Sequence, residues 1–168
     1  LSIDQIQPYI EIKNNKELPG LKIKNCNINF KNVGFKYAAS EKRAVKNINL
    51  DIEGGAMTAF VGHSGAGKST ILNLLPRFYD PQTGNIEIDN QDIKKISLNS
   101  LRKNISLVSQ DVILFDDTVK NNIAYAKPNA SQNDIIEACQ FAAANEFIDK
   151  LPLAYNTIIG ENGIKLSG

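Results

Sequence analysis

The sequence predicts an α/β fold in which an antiparallel β layer comes first and a mainly helical segment lies near the end. Residues in the first third alternate between apolar and polar, as in half-buried strands. Short apolar segments and helical patterns then follow in alternation, and residues 115–151 are mainly helical in pattern. These observations indicate one α/β core carrying a β layer and a helical subdomain.

Composition is that of an ordinary globular domain and excludes several kinds of partner. Of the 168 residues, 42% are apolar and 22% charged, and the net charge is +1. A nearly neutral chain has no general attraction to nucleic acid or acidic lipid. Cys26 and Cys139 are far apart and lack the spacing of metal ligands. Two free, buried thiols in a reducing cytoplasm are expected rather than a disulfide.

Breaker residues and alternation divide the chain into elements. Residues 1–23 are polar and contain Pro8, Pro19 and Gly20, so they predict a linker ahead of a domain that spans 24–168. A turn is expected at Gly54-Gly55. Strands are predicted at 28–37 with a bulge, 48–52, 57–61 as a buried strand, 85–90 and 104–109.

Two helices have clear boundary signals. One covers Ser69–Leu75 and ends at Pro76, because proline cannot continue a helix. The other follows Ser131 and Asp134, whose spacing resembles a capping box. Ile135, Cys139 and Ala142 recur at helical spacing in this second helix, so its core-facing side should include them.

The segment "GHSGAGKST", Gly62–Thr70, matches the pattern G-x-x-x-x-G-K-[ST] between a predicted strand and a predicted helix. Glycines allow a sharp turn in which successive N–H groups point at one anion. Lys68 would contact β- and γ-phosphate oxygens, Ser69 would join a Mg²⁺ shell, and Thr70 would reach an α-phosphate oxygen. The candidate nucleotide-binding residues are Gly62, His63, Ser64, Gly65, Ala66, Gly67, Lys68, Ser69 and Thr70. The His63 side chain is expected to point outward, because such a loop acts through its backbone.

Further segments resemble one family, the nucleotide-binding domains of ATP-binding cassette (ABC) transporters of the multidrug or lipid exporter type. "FKNVGFKY" resembles the strand with an adenine-stacking aromatic, at Tyr37. "LVSQDVILFDDTVKNNIAYA" resembles the Q-loop region, with its glutamine at Gln110. "IIGENG" resembles the exporter X-loop around Glu161, and "LSG" resembles the start of the signature motif. The resemblance covers residues 24–168.

The resemblance implies a P-loop NTPase core, ATP and Mg²⁺ as cofactors, and roles for residues outside the loop. Tyr37 would stack on adenine, Gln110 would contact Mg²⁺ or the attacking water, and Lys68 would act with Gln110 in catalysis. Ser167 and Gly168 would contact ATP held by a second nucleotide-binding domain. Coupling helices of a transmembrane domain would contact the region around Phe115 and Glu161, and partly exposed apolar side chains are expected near Phe115. The location would be the cytoplasmic face of a bacterial inner membrane.

The family also has a Walker B aspartate, a catalytic glutamate and a switch histidine, all placed after the signature motif. None of them is found in the 168 residues. The full-length protein is therefore expected to be an ATP hydrolase, while these residues alone should bind nucleotide without hydrolysing it. They should also lack the later part of the core, including a strand beside 57–61.

Other readings of the loop remain open. A GTPase would need D-x-x-G after Lys68 and a later N-K-x-D, and neither is found. A small kinase, or a domain with no activity, is not excluded by the loop alone. The ATPase domain of a non-transport ABC protein is the nearest alternative, although such proteins insert a long segment between loop and signature. The sequence does not indicate a transported substrate.

Overall fold

The computed structural model describes residues 18–108 and 113–160, which belong to two compact units. The first unit extends to Leu107 and the second begins at Val108. Within the described ranges, no helix combines the length and the apolar content required to cross a membrane.

A four-stranded sheet forms the centre of the first unit, with strand order β2-β1-β3-β4. The strands are β1 (Ile28–Phe35), β2 (Val45–Ile52), β3 (Thr83–Ile88) and β4 (Gln91–Asp92). Every pairing is antiparallel, and the pairing of β1 with β2 shifts register between Phe30 and Val33. The predicted antiparallel layer and its bulge are therefore confirmed.

Two helices cover the apolar side of this sheet. They are α1 (Lys68–Leu74) and α2 (Leu98–Lys103), and a 3₁₀ turn at Ile93–Lys95 precedes α2. The helix predicted over Ser69–Leu75 is present. The buried cluster shared by sheet and helices consists of Phe30, Val33, Phe35, Val45, Ile71, Leu74, Ile86, Ile88, Ile93, Ile96, Leu98 and Leu101. Each fully buried large side chain stabilises the unit by about 1.5–3 kcal/mol.

Two arginines fix the chain where α1 ends. Arg77 is buried at a positive φ of 54°, and its guanidinium bonds both carboxylate oxygens of Asp80 at 2.8 and 2.9 Å. Arg102, on α2, donates to the carbonyl oxygens of Pro76 and Arg77 at 3.0 and 2.9 Å. Carbonyls at a helix C-terminus lack intrahelical donors, so Arg102 satisfies groups that would otherwise be unpaired.

Asp89 attaches the segment before β1 to the end of β3. Its carboxylate accepts backbone N–H bonds from Lys24, Asn25, Cys26 and Asn27 at 2.7 to 3.1 Å. The bond from Lys24 contributes most, and together these bonds lower the pKa of Asp89. Both cysteines are free, as expected, but Cys26 is exposed rather than buried.

Two predicted strands do not form in the described residues. Residues 57–61 are irregular, and Met57 and Val61 are 100% and 90% exposed. Residues 105–108 are also irregular, with Val108 exposed. A strand requires a hydrogen-bonded neighbour, and the four described strands pair only with one another. The strands predicted there are therefore wrong for the described residues, which supply no pairing partner for either segment.

The second unit is mainly helical, as the pattern near 115–151 predicted. It contains α3 (Val119–Ala124), α4 (Gln132–Phe141), α5 (Asn145–Ile148) and a 3₁₀ turn at Ala154–Asn156. Its buried cluster is Val119, Ile135, Cys139, Ile148 and Ile159.

The predicted capping box at the start of α4 is present. The Ser131 hydroxyl accepts the backbone N–H of Asp134, and the Asp134 carboxylate accepts that of Ser131. Ile135 and Cys139 are buried as expected. Ala142 is exposed instead, because α4 ends at Phe141 and Ala142 is its C-cap.

Candidate functional site

The loop Gly62–Thr70, called the phosphate loop below, takes a conformation that depends on glycine. Gly65 and Gly67 have positive φ angles of 79° and 88°, which side chains other than glycine rarely adopt. A Cβ atom at Gly67 would also lie 2.6 Å from the carbonyl oxygen of Ala44 and 2.8 Å from Val45 Cγ1. Gly67 therefore allows the loop to approach the beginning of β2 closely before α1 starts.

Lys68 folds back over the loop. Its Nζ atom donates to the carbonyl oxygens of Gly62 and His63, each at 2.8 Å. Within residues 18–108 and 113–160, no carboxylate forms an ion pair with Lys68. The ammonium charge is held by neutral carbonyl dipoles and is therefore available to an anion.

Backbone donors at the start of α1 are also available. In the loop, the Ala66 N–H donates to His63 O at 3.3 Å, and the Ile71 N–H donates to Gly67 O at 3.0 Å. For the N–H groups of Lys68, Ser69 and Thr70, the described residues provide no acceptor, as expected in the first turn of a helix. Unpaired N–H groups beside an ammonium held by neutral carbonyl groups fit a phosphate-bearing anion.

Polar side chains of the phosphate loop, His63, Ser64 and Ser69, face solvent. His63 is exposed, and its Nδ1 atom donates to the carbonyl oxygen of Ser64 at 2.9 Å. Ser69 is exposed too, so its hydroxyl can reach a hydrated cation. The described residues contain no group of three or more His, Cys, Asp or Glu side chains that could hold a metal alone.

Tyr37 lies against α1 within a cluster of aromatic rings. Its ring centroid is 4.8 Å from that of Phe35 and 5.1 Å from that of Tyr79, in edge-to-face geometry. The ring is half-buried, and its hydroxyl is 3.2 Å from Thr70 Oγ1. The sequence predicts Tyr37 and Thr70 in one site, but no sequence pattern relates their two hydroxyls, so this contact is found only in the structure.

In the second unit, apolar side chains near Phe115 are partly exposed, as expected. Phe115 is 46% exposed and stacks on Tyr125 with ring centroids 4.6 Å apart, and Leu114 is half-buried. An open apolar cavity of about 290 Å³ lies in the same unit, lined by residues that include Leu114, Ile123 and Phe147. Open apolar surface of this kind often marks a site for a partner.

Several predicted site residues lie outside the described residues. They are Gln110, Glu161, Ser167 and Gly168. The structure brings Tyr37 together with the phosphate loop.

The sequence profile of the ABC transporter family matches residues 45–168, a range that contains the whole phosphate loop. The chain belongs to the ABC transporter family. Similarity to individual ABC proteins extends over nearly the whole chain. A candidate multidrug export ATP-binding/permease protein of Staphylococcus aureus is 48% identical over 158 residues, 94% of this chain. An ATP-dependent lipid A-core flippase of Syntrophus aciditrophicus is 47% identical over 166 residues, 99% of this chain.

A solved ABC protein has the same fold. The structure of a bacterial Atm1-family ABC exporter with ATP bound superposes with a TM-score of 0.89 at 41% identity, over 98% of this chain. The P-loop NTPase fold of an exporter-type ABC nucleotide-binding domain, with its antiparallel layer and helical subdomain, is thus confirmed. The chain spans 27% of the length of both curated relatives and 29% of the solved chain.

Proposed function

We propose that this chain is the ATP-binding part of an ABC exporter, in which the full-length protein couples ATP binding and hydrolysis to export of a substrate across a membrane. The observation that carries the proposal is the phosphate loop, where neutral carbonyl groups hold the Lys68 ammonium and the described residues provide no acceptor for the first N–H groups of α1. Relatives named as an export protein and a flippase support the transport role.

ATP would be held by residues of this chain. Lys68 would leave the carbonyls of Gly62 and His63, 2.8 Å away, to neutralise the β- and γ-phosphates. Loop N–H groups would donate to the same phosphates, and Thr70 would donate to the α-phosphate. Tyr37 would stack on adenine. Bound Mg²⁺ would neutralise phosphate charge, with Ser69 and Gln110 as its ligands from this chain.

The partners follow from the same proposal. Ser167 and Gly168 would contact ATP held by a second nucleotide-binding domain, so that two such domains close on nucleotide together. The partly exposed apolar side chains near Phe115, with Glu161, would receive coupling helices of a transmembrane domain. Residues 1–23 would link that membrane domain to the ATP-binding domain, residues 24–168, on the cytoplasmic face of the bacterial inner membrane.

Hydrolysis would require an aspartate and a glutamate like those that follow the signature motif in the family, and residues 1–168 contain no counterpart of them. Loss of the group that positions the attacking water costs orders of magnitude in phosphoryl transfer. Residues 1–168 alone should therefore bind nucleotide and show no phosphate release above a Lys68→Ala control.

The first test is ATPase activity of the full-length protein with Lys68→Ala. Lys68 is the one charged side chain proposed for the phosphates, and a hydrogen bond of this kind contributes about 1.5–3 kcal/mol. We expect weaker ATP binding and almost no steady-state phosphate release. Lys103→Ala is the matched control, because it removes an equal charge from the exposed end of α2 and should retain wild-type turnover. Equal turnover in Lys68→Ala and Lys103→Ala at saturating ATP would contradict the proposed role.

A further inference from the structure

The hydroxyl group of Thr70, a residue expected to bind phosphate, belongs to a buried residue of α1. Thr70 is only 6% exposed, so its hydroxyl is largely removed from water and requires a hydrogen-bond partner. Among the described residues, that partner is the Tyr37 hydroxyl, 3.2 Å away. The two residues are 33 positions apart and belong to the two parts of the proposed site, the base end and the phosphate end.

The chemistry of two hydroxyls in contact allows a directed chain of hydrogen bonds. Each hydroxyl has one hydrogen to donate and can accept two bonds. If Tyr37 donates to Thr70 Oγ1, the Thr70 hydrogen is free to point at a phosphate oxygen. Successive hydrogen bonds polarise one another, so the bond from Tyr37 strengthens the donor that Thr70 presents.

The position of the Tyr37 ring favours a lasting contact. The Tyr37 ring packs edge-to-face against Phe35 and Tyr79, at centroid distances of 4.8 and 5.1 Å. This packing restricts the directions in which the Tyr37 hydroxyl can point. Thr70 is equally constrained, because it lies on the buried face of α1. Both hydroxyls are therefore positioned by packing before any ligand arrives.

We propose that the Tyr37 hydroxyl is a positioning group for phosphate, acting through Thr70, in addition to the stacking role of the Tyr37 ring. This inference rests on the proposed function, since it requires that the loop binds a polyphosphate. It assigns separate tasks to two parts of one side chain: the ring contacts the base, and the hydroxyl orients Thr70. The two ends of the nucleotide are thereby coupled through a single residue.

A ligand that has no base distinguishes the proposed positioning role of Tyr37 from a role in stacking alone. Inorganic tripolyphosphate offers phosphate oxygens without an adenine ring. A Tyr37 residue that only stacks is irrelevant to tripolyphosphate, and replacing it by phenylalanine should leave ATP affinity unchanged as well. A hydroxyl that orients Thr70 matters equally for both ligands. Tyr37→Phe keeps the ring and removes only this hydroxyl.

The experiment measures the affinity of the full-length protein for MgATP and for magnesium tripolyphosphate by calorimetry. Four proteins form a double-mutant cycle: wild type, Tyr37→Phe, Thr70→Val and the double variant. We expect Tyr37→Phe to lower the affinity for both ligands by about three- to tenfold, which is the range for one neutral hydrogen bond. In the Thr70→Val background, Tyr37→Phe should have no further effect.

Tyr155→Phe is the matched control. It removes a phenol hydroxyl in the second unit, where Tyr155 packs against the buried cluster that contains Cys139, and it should change neither affinity. The unfolding temperature of every variant is measured together with its affinities. A merely structural role for the Tyr37 hydroxyl would lower the unfolding temperature while leaving the affinity of the folded protein unchanged.

The outcomes distinguish this inference from the proposed function. Unchanged affinities in Tyr37→Phe, or equal losses in the presence and absence of the Thr70 hydroxyl, would overturn the inference while ATP binding itself stands. Loss of affinity for ATP alone would assign Tyr37 to the base only and would also overturn it. A wild-type protein that binds neither ligand would overturn the proposed function and the inference together.

Discussion

Gly67 combines two separate requirements for glycine, and this gives the first residue-level prediction. Its φ of 88° strains any other residue, at a cost of about 1–2 kcal/mol. A Cβ added at Gly67 would in addition lie 2.6 Å from the backbone oxygen of Ala44, which cannot move away as a flexible side chain can. We expect Gly67→Ala to lower the free energy of unfolding by more than this backbone strain and to abolish ATP binding.

Gly55→Ala is the control for Gly67→Ala. Gly55 has a similar φ of 80°, yet a Cβ there meets nothing within 4 Å. Chemical denaturation of both variants therefore separates backbone strain from close contact. Equal destabilisation by the two substitutions would mean that the approach of the loop to β2 is not what requires glycine.

The second residue-level prediction concerns the Tyr37 ring. If it stacks on adenine, Tyr37→Ala should weaken ATP binding by about 1–2 kcal/mol, by analogy with base–aromatic stacking. Tyr37→Trp retains an aromatic face and should preserve the preference for ATP over tripolyphosphate. Because stacking reads only a π-face, GTP should compete with ATP measurably. Equilibrium competition binding checks this, and an unchanged ATP affinity in Tyr37→Ala would reduce Tyr37 to a packing residue.

At the residue scale, the sequence was informative where a motif encodes backbone conformation. The glycine spacing of the phosphate loop predicted a turn at Gly65 and Gly67, and both have positive φ. It was uninformative for contacts between distant residues. Arg77 and Arg102 illustrate this, because the bonds from Arg102 to the end of α1 depend on how α1 and α2 pack together.

Among the elements, β1 to β3 and α4 were predicted because each carries a local signal. Alternation of apolar and polar residues predicts the strands, and a capping box marks the beginning of α4. The strands predicted at 57–61 and 104–109 were wrong for the described residues, because a strand also depends on a partner. Local pattern contains no information about whether such a partner is present.

The carboxylate of Asp89 leads to an element-scale prediction about the connection between β3 and the segment before β1. Four backbone N–H groups lower the pKa of Asp89 in the folded protein below its unfolded value. Its contribution to stability is therefore present above the unfolded pKa, about 3.9, and is lost as pH falls through the lower folded pKa. Asp89→Asn should be less stable than wild type at neutral pH.

Denaturant unfolding of wild type and Asp89→Asn across the acid range checks this prediction. The difference in free energy of unfolding should shrink as pH falls, because protonated Asp89 resembles asparagine in having no charge to attract the N–H groups. A difference that stays constant from neutral to acid pH would show that the Asp89 charge does not stabilise the connection.

At the scale of the whole molecule, family and fold could be predicted because several short motifs occur in order with family-like spacing. The match at 41% identity and TM-score 0.89 to an ABC exporter confirms that prediction. The exposed apolar residues were predicted only near Phe115. Met57 and Val61 were expected to be buried, and their exposure follows from the absence of a paired neighbour among the described strands.

Binding of a polyphosphate to the backbone of residues 62–70 is the central claim. Amide hydrogen exchange of the full-length protein, with and without MgATP, tests it most directly, because N–H groups that donate to phosphate exchange more slowly. We expect MgATP to slow exchange in peptides covering the phosphate loop in wild type and in Lys103→Ala, and to have little effect in Lys68→Ala. Unchanged exchange across residues 62–70 at saturating MgATP, with protection elsewhere in the chain, would contradict the account.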